Sequence, residues 1–83
     1  MKATTLKKIL ISICEDCQKV NKARNEKGIT RISYQLSIRT GNREYRYNID
    51  DESDWSVEDG YLWLSDESGT TWIDTDKIES IEL

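Results

Sequence analysis

Two cysteines three positions apart are the residues of this chain whose types and spacing best suit chemistry. Cys14 and Cys17 have the spacing found in redox pairs and in zinc sites. The chain has no histidine and no further cysteine, so a zinc site here would lack two of its four usual ligands. Chemistry that needs an imidazole, including histidine-assisted nucleophilic catalysis, is excluded. No catalytic residue and no cofactor are predicted.

The position of the pair also argues against a reactive thiol. Thioredoxin-like pairs lie at a helix N-terminus, where the helix dipole stabilises a thiolate, whereas this pair falls in the middle of a predicted helix. Neighbouring Glu15 and Asp16 are expected to raise the pKa of both thiols. We therefore expect Cys17 to be a core residue and Cys14 to lie at the edge of the apolar stripe, with metal or disulfide chemistry as the alternative.

Acidic residues dominate the second part of the chain. Residues 1–47 contain eleven Lys or Arg and four acids, whereas residues 48–83 contain one Lys and twelve acids. The formal charge is therefore +7 followed by −11, for a net charge of −4. Such asymmetry indicates either an acidic face displayed to a charged partner or basic and acidic strands that neutralise each other within one sheet.

The acids and two tryptophans form the predicted partner-binding site. A tryptophan exposed among carboxylates is typical of a protein-binding hot spot, and a solvated, charge-rich loop is the alternative. The spacing lacks the glycine and terminal glutamate of a helix-loop-helix calcium site, so no metal site is predicted. The candidate residues are Asp50, Asp51, Glu52, Asp54, Trp55, Glu58, Asp59, Asp66, Glu67, Trp72, Asp74 and Asp76.

One amphipathic helix is predicted over residues 5–25. Its apolar residues recur at three- and four-residue steps and so share one face. Thr4 or Thr5 is the predicted N-cap, and Gly28 is suited to a left-handed C-cap. The lysines opposite the apolar stripe could contact nucleic acid, but the net acidity of the chain favours a solvated face.

After Gly28 the apolar period changes to two, which predicts antiparallel strands at about 29–39, 43–49, 61–65, 70–74 and 78–83. Residues 50–60, rich in acids, are predicted to be an exposed loop. A two-residue primed turn at Gly41-Asn42 places Ile38 opposite Tyr45. A second turn, at residues 66–69, places Trp63 opposite Trp72.

Together these elements predict a single α+β domain over residues 1–83, with an N-terminal amphipathic helix followed by a five-stranded antiparallel, strongly bent sheet or small barrel. The order of elements resembles Sm-like and SH3-like small barrels, chiefly in residues 71–81, which look like the strand, 3₁₀ turn and strand that close such barrels. The resemblance implies RNA binding near that turn, as in Sm-like proteins. Here, however, Asp74, Asp76 and Glu79 surround a single Lys77 and would repel phosphate, so direct nucleic-acid binding is not expected.

The function expected from these patterns is that of a small non-enzymatic interaction module that presents an acidic face to a basic protein partner. Phage or mobile-element inhibitors that imitate nucleic-acid phosphate, and immunity proteins that block basic nucleases, are proteins of this type. The alternatives are an Sm-like oligomer associated with nucleic acid and a Cys-pair metal or redox protein. No stretch has the character of a signal peptide or membrane span, which predicts a cytoplasmic protein.

Overall fold

A computed structural model describes all of residues 1–83 as one helix, six strands and a 3₁₀ turn. The elements are α1 (Ala3–Glu26), β1 (Tyr34–Thr40), β2 (Arg43–Ile49), β3 (Asp54–Glu58), β4 (Tyr61–Asp66), β5 (Gly69–Asp74), the 3₁₀ turn (Thr75–Lys77) and β6 (Ile78–Glu82). The strands form two antiparallel sheets. The first sheet has the order β2-β1-β6 and the second has the order β3-β4-β5.

The prediction of one five-stranded sheet or small barrel is therefore wrong, because there are two three-stranded sheets and neither is closed. The chain leaves β2 through a turn that Asp50 stabilises. Its carboxylate accepts hydrogen bonds from the Glu52 backbone N–H (2.8 Å) and from the Ser53 hydroxyl (3.2 Å). Such side-chain bonding satisfies the backbone locally and ends the strand pairing.

The interval predicted to be a loop contains β3. Along this strand Trp55 and Val57 are half-buried, whereas Asp54 and Glu58 at its two ends are exposed. The strand pairs with β4 across the Asp59-Gly60 turn, where both residues have positive φ (53° and 79°). Two consecutive positive φ values define the primed turn that suits a tight hairpin.

The helix boundaries agree with the prediction at one end only. The N-cap is Lys2, and no side chain caps the helix, so the predicted threonine cap is wrong. At the C-terminus, Gly28 has a φ of +70° and its N–H donates to the Asn25 carbonyl (3.1 Å), while the Ile29 N–H donates to the Arg24 carbonyl (2.9 Å). This pair of bonds is a Schellman motif, and the predicted role of Gly28 is confirmed.

The first predicted strand begins five residues too early, because residues 29–33 bond to the helix instead of to a strand. The Asn21 amide donates to the Ile32 carbonyl (3.0 Å), and the Ile32 N–H donates to the Asn21 side-chain oxygen (2.8 Å). The Arg24 Nε donates to the Thr30 carbonyl (2.6 Å). Helix side chains therefore take the place of a partner strand here.

Strand registers follow the sequence pattern. Ile38 pairs with Tyr45 and Trp63 pairs with Trp72, as predicted. The Gly41-Asn42 turn differs in type, since neither residue has a positive φ and the turn is not a primed one.

The core lies between the apolar stripe of α1 and the inner faces of the two sheets. Tyr47 joins the sheets, because its hydroxyl on β2 donates to the backbone carbonyl of Ser65 (2.9 Å) in the second sheet and also lies 3.3 Å from the Asp54 carbonyl. The buried apolar cluster comprises Leu6, Leu10, Leu36, Ile38, Tyr47, Ile49, Leu62, Leu64, Ile73 and Ile78.

The helix α1 does not contain an apolar stretch of the length needed to cross a membrane.

Candidate partner-binding face

The second sheet has one face in the core and one face toward solvent. Leu62, Leu64 and Ile73 are buried against the helix and the first sheet, and successive residues of a strand point to opposite faces. We name the solvent-directed side of this sheet the outer face. By the strand register it consists of three rows, which are Asp54–Ser65–Thr70, Ser56–Trp63–Trp72 and Glu58–Tyr61–Asp74.

Aromatic side chains occupy the middle row of the outer face, at Trp63 and Trp72, and one position of the neighbouring row, at Tyr61. Trp72 is 62% exposed and Tyr61 is 43% exposed. The Trp63 and Trp72 rings support each other, with centroids 5.0 Å apart and planes tilted by 50°, a spacing favourable for aromatic pairs. A shallow groove of about 260 Å³ runs beside them, lined by Trp55 and outer-face residues. Exposed aromatic surface of this kind is characteristic of interaction sites.

Carboxylates lie on both sides of the row that contains Trp63 and Trp72, and the second sheet contains no Lys or Arg. Residues 50–76 contain ten acids and no Lys or Arg. Every ion pair in the structure uses Arg31, and none involves Asp54, Glu58 or Asp74. The basic β1–β2 hairpin lies in the first sheet, beside β6. The strands of the first sheet contain three Arg and three Glu, whereas those of the second sheet contain four acids and no base, so the excess of negative charge lies on the second sheet.

One end of the outer face continues into an acidic groove of about 580 Å³. The β2–β3 turn and the β4–β5 turn meet there. Five carboxylates line it, a density that produces a negative potential attractive to cationic groups. They belong to Asp50, Glu52, Asp54, Asp66 and Glu67.

Asp51 has a structural role instead of facing this groove. Its carboxylate accepts a hydrogen bond from the Asn21 amide (3.1 Å) and one from the Arg31 guanidinium (2.8 Å). The Asn21 hydrogen bond is the largest cause that lowers the pKa of Asp51, and Arg31 lowers the pKa further. The same guanidinium reaches Glu52 (3.3 Å) and Asp50 (4.0 Å). Arg31 therefore holds three of the twelve candidate residues.

Trp55 lies on the opposite side of the second sheet from Trp72. It is half-buried, and its indole N–H donates to the Cys14 sulfur (3.3 Å). Since this contact fixes Trp55 against α1, Trp72 is the better anchor of the two predicted tryptophans.

The cysteines occupy the positions predicted for them, with Cys17 fully buried and Cys14 half-buried at the edge of the core. Burial is the main reason that the pKa of each thiol is raised, and the charges of Asp50 and Asp51 raise it further. The acids adjacent in sequence, which we expected to act, are not among the causes. No three Cys, Asp or Glu side chains are grouped so as to hold a metal ion.

The remaining predicted residues lie at the margins of the face. Asp59 is in the β3–β4 turn, and Asp76 is in the 3₁₀ turn, where its N–H donates to the Asp74 carboxylate (3.0 Å).

No protein family, curated protein or solved structure matches the chain. The outer face is thus the feature from which a function can be inferred. Two of its aromatic residues, Tyr61 and Trp63, were not among the predicted site residues. The pairing of Trp63 with Trp72 could have identified Trp63, because residues directly opposite each other in a strand pair share a face. Tyr61 lies two positions before Trp63 on the same strand and so shares that face as well.

Proposed function

We propose that this chain is a small non-enzymatic interaction module whose outer face binds a basic protein partner. The observation that carries the proposal is the Trp63–Trp72 ring pair, with Trp72 exposed and Trp63 half-buried, between two rows that contain carboxylates without an ion-pair partner. Such a surface offers two separable contributions. The aromatic rings bury apolar area, and the carboxylates attract and orient Lys and Arg side chains.

The charge pattern supports a protein partner over a nucleic acid. From Asp54 to Asp74 there are six acids and no Lys or Arg, so a phosphate backbone would be repelled from this sheet. A basic surface, such as that of a nuclease or another nucleic-acid-binding protein, has the complementary charge. A cytoplasmic location is part of the proposal, in keeping with two cysteines that are free thiols.

A charge-neutralised variant tests this function against a panel of small basic proteins. The triple substitution Asp54→Asn, Glu58→Gln and Asp74→Asn removes three negative charges from the outer face and preserves side-chain shape. The matched control removes three exposed acids elsewhere, through Glu15→Gln, Glu26→Gln and Glu82→Gln. We expect the wild-type chain to bind at least one panel member, with an affinity that falls as salt rises from about 50 to about 300 mM.

The outer-face triple variant should lose most of that binding, and the control triple should keep it. Equal losses in the two triple variants would mean that only net charge matters, and the proposed face would be wrong. The absence of any salt-sensitive complex across the panel would contradict the function itself.

A further inference from the structure

Strand β5 is an unprotected edge of the second sheet. It pairs with β4 alone, and residues 69–72 are all exposed. Natural edge strands are usually protected by a charged residue, a proline, a bulge or a covering element. β5 has none of these along Gly69-Thr70-Thr71-Trp72, and its register with β4 is regular. Its outer main-chain groups are therefore open to a further strand.

The free main-chain groups of this edge can be identified from the hydrogen-bonding phase of the β4–β5 pair. The Thr75 N–H donates to the Gly60 carbonyl (2.9 Å), which makes that position a hydrogen-bonded pair. Bonded and non-bonded pairs alternate along an antiparallel ladder, so Ile73 and Thr71 also bond to β4. Thr70 and Trp72 therefore direct their N–H and C=O groups away from β4, toward the open edge.

We propose that β5 accepts an extended basic segment of the partner as a fourth strand of the second sheet. This inference rests on the proposed function and adds the conformation of the ligand and its main-chain contacts. Every second side chain of the added strand would lie on the outer face beside Trp72, where a Lys or Arg can stack on the indole.

The surroundings of β5 orient that segment. At the Thr70 end, the strand adjoins the acidic groove that contains Asp66 and Glu67. At the other end, a groove of about 330 Å³ is lined by Arg43 and Lys77 and by a single acid, Asp74, as well as by Trp72. The basic side chains of the segment are therefore expected to lie toward Thr70.

A basic segment fits this edge better than a second copy of the chain. Two copies joined at β5 would form a six-stranded sheet in which each half carries six acids and no Lys or Arg from Asp54 to Asp74. Like charges brought together in this way oppose association.

Backbone methylation of a probe peptide tests the main-chain contacts directly. The probe is a capped peptide of alternating Arg and Thr, about six residues long, which is the length of one strand. The comparison peptide carries N-methyl groups on two consecutive central residues. Its charge is the same as that of the parent peptide, but each of the two edges of the peptide strand lacks one N–H donor. We expect the parent peptide to bind and the methylated peptide to bind at least tenfold more weakly.

A protein variant provides the second arm. Thr70→Pro removes one outward N–H without removing a β4–β5 hydrogen bond, whereas Thr70→Val keeps the N–H. The proline variant should bind the parent peptide several-fold more weakly than the valine variant, and hydrogen exchange of the Thr70 and Trp72 amides should slow when the peptide binds to the wild-type chain. If the proline variant does not fold, the methylated peptide still decides the question on the wild-type chain.

Equal binding of the two peptides would overturn the strand-addition proposal while leaving the acidic face as a docking surface. The same conclusion would follow if folded basic proteins bind but the parent peptide does not. Self-association in sedimentation that the peptide cannot displace would identify a second copy as the occupant and would also overturn the proposal. Failure of both peptides and of every basic protein would remove the proposed function together with this inference.

Discussion

Replacing Trp72 with alanine is expected to weaken the binding of a basic protein ligand about a hundredfold while leaving the chain folded. Trp72 is the most exposed tryptophan on the outer face, since its neighbour Trp63 is half-buried. A large aromatic side chain at the centre of an interface commonly dominates its affinity.

The magnitude follows from the exposed area. A tryptophan side chain can bury about 200 Å², and 62% of Trp72 is exposed, so a partner could cover roughly 120 Å² of it. At about 25 cal/mol per Å², this burial contributes about 3 kcal/mol, which corresponds to about a hundredfold in affinity. The cost to folding is smaller, because the ring pair with Trp63 contributes about 1 kcal/mol.

Isothermal titration of the variant with a panel protein that binds the wild-type chain measures this effect, and circular dichroism checks the fold. Leu83→Ala is the matched control, since Leu83 is 73% exposed but lies outside the second sheet. The control should bind like the wild-type chain. A folded Trp72→Ala variant that loses less than about twofold in affinity would refute the reasoning.

Three further predictions concern the residues that support the face. The hydrogen bond from Asn21 lowers the pKa of Asp51. The stability that this carboxylate contributes is therefore present above its unfolded pKa of about 3.9 and is lost as the pH falls through the lower folded pKa. The D51N variant should unfold at a lower temperature than the wild-type chain at pH 7, and the difference should shrink in acid. Tyr47→Phe removes the hydroxyl that donates to the Ser65 carbonyl and contacts the Asp54 carbonyl, which should cost about 1 kcal/mol in denaturant unfolding, whereas Tyr61→Phe should have little effect. Because burial raises the pKa of Cys14 and Cys17, both thiols should react slowly with a disulfide reagent at neutral pH until the chain is unfolded, and equal rates for folded and unfolded chain would contradict the described packing.

The elements that the sequence predicted well are those whose signals are local. The helix stripe and the β1–β2 register depend on residues within a few positions of one another, and a tight turn fixes the pairing of Leu36 with Tyr47. Periodicity and the two-residue length of the turn were sufficient for the register there, although the type of the turn was predicted wrongly.

The division into two sheets places β6 beside β1 and pairs residues as distant in sequence as Ile38 and Ile81. Other contacts between distant residues fix the chain around β1 and the β2–β3 turn. Asn21 and Asp51 are separated by thirty positions and Arg31 and Asp51 by twenty, so neither contact has a sequence pattern. The bonds from Asn21 to Ile32 explain in the same way why residues 29–33 are not a strand. Strand β3 was missed for a different reason, since only Trp55 and Val57 mark its inner face and the acids of its outer face are typical of loops.

The candidate site was predicted in composition but not in arrangement. Charge counting indicated an acidic second half, and the structure adds that most of these acids belong to a separate sheet and its turns. The sequence could not distinguish the roles of Trp55 and Trp72, because the faces of β3 and β5 are known only once both pairings with β4 are known.

The most direct test of the acidic outer face is a map of amide and indole chemical shifts recorded while a basic protein ligand is added to labelled chain. We expect the largest changes at the Trp63 and Trp72 indole N–H groups and along β4 and β5, with little change along the lysine-rich side of α1. Changes concentrated on α1, or spread evenly over both sheets, would contradict the proposal that this face is the binding surface.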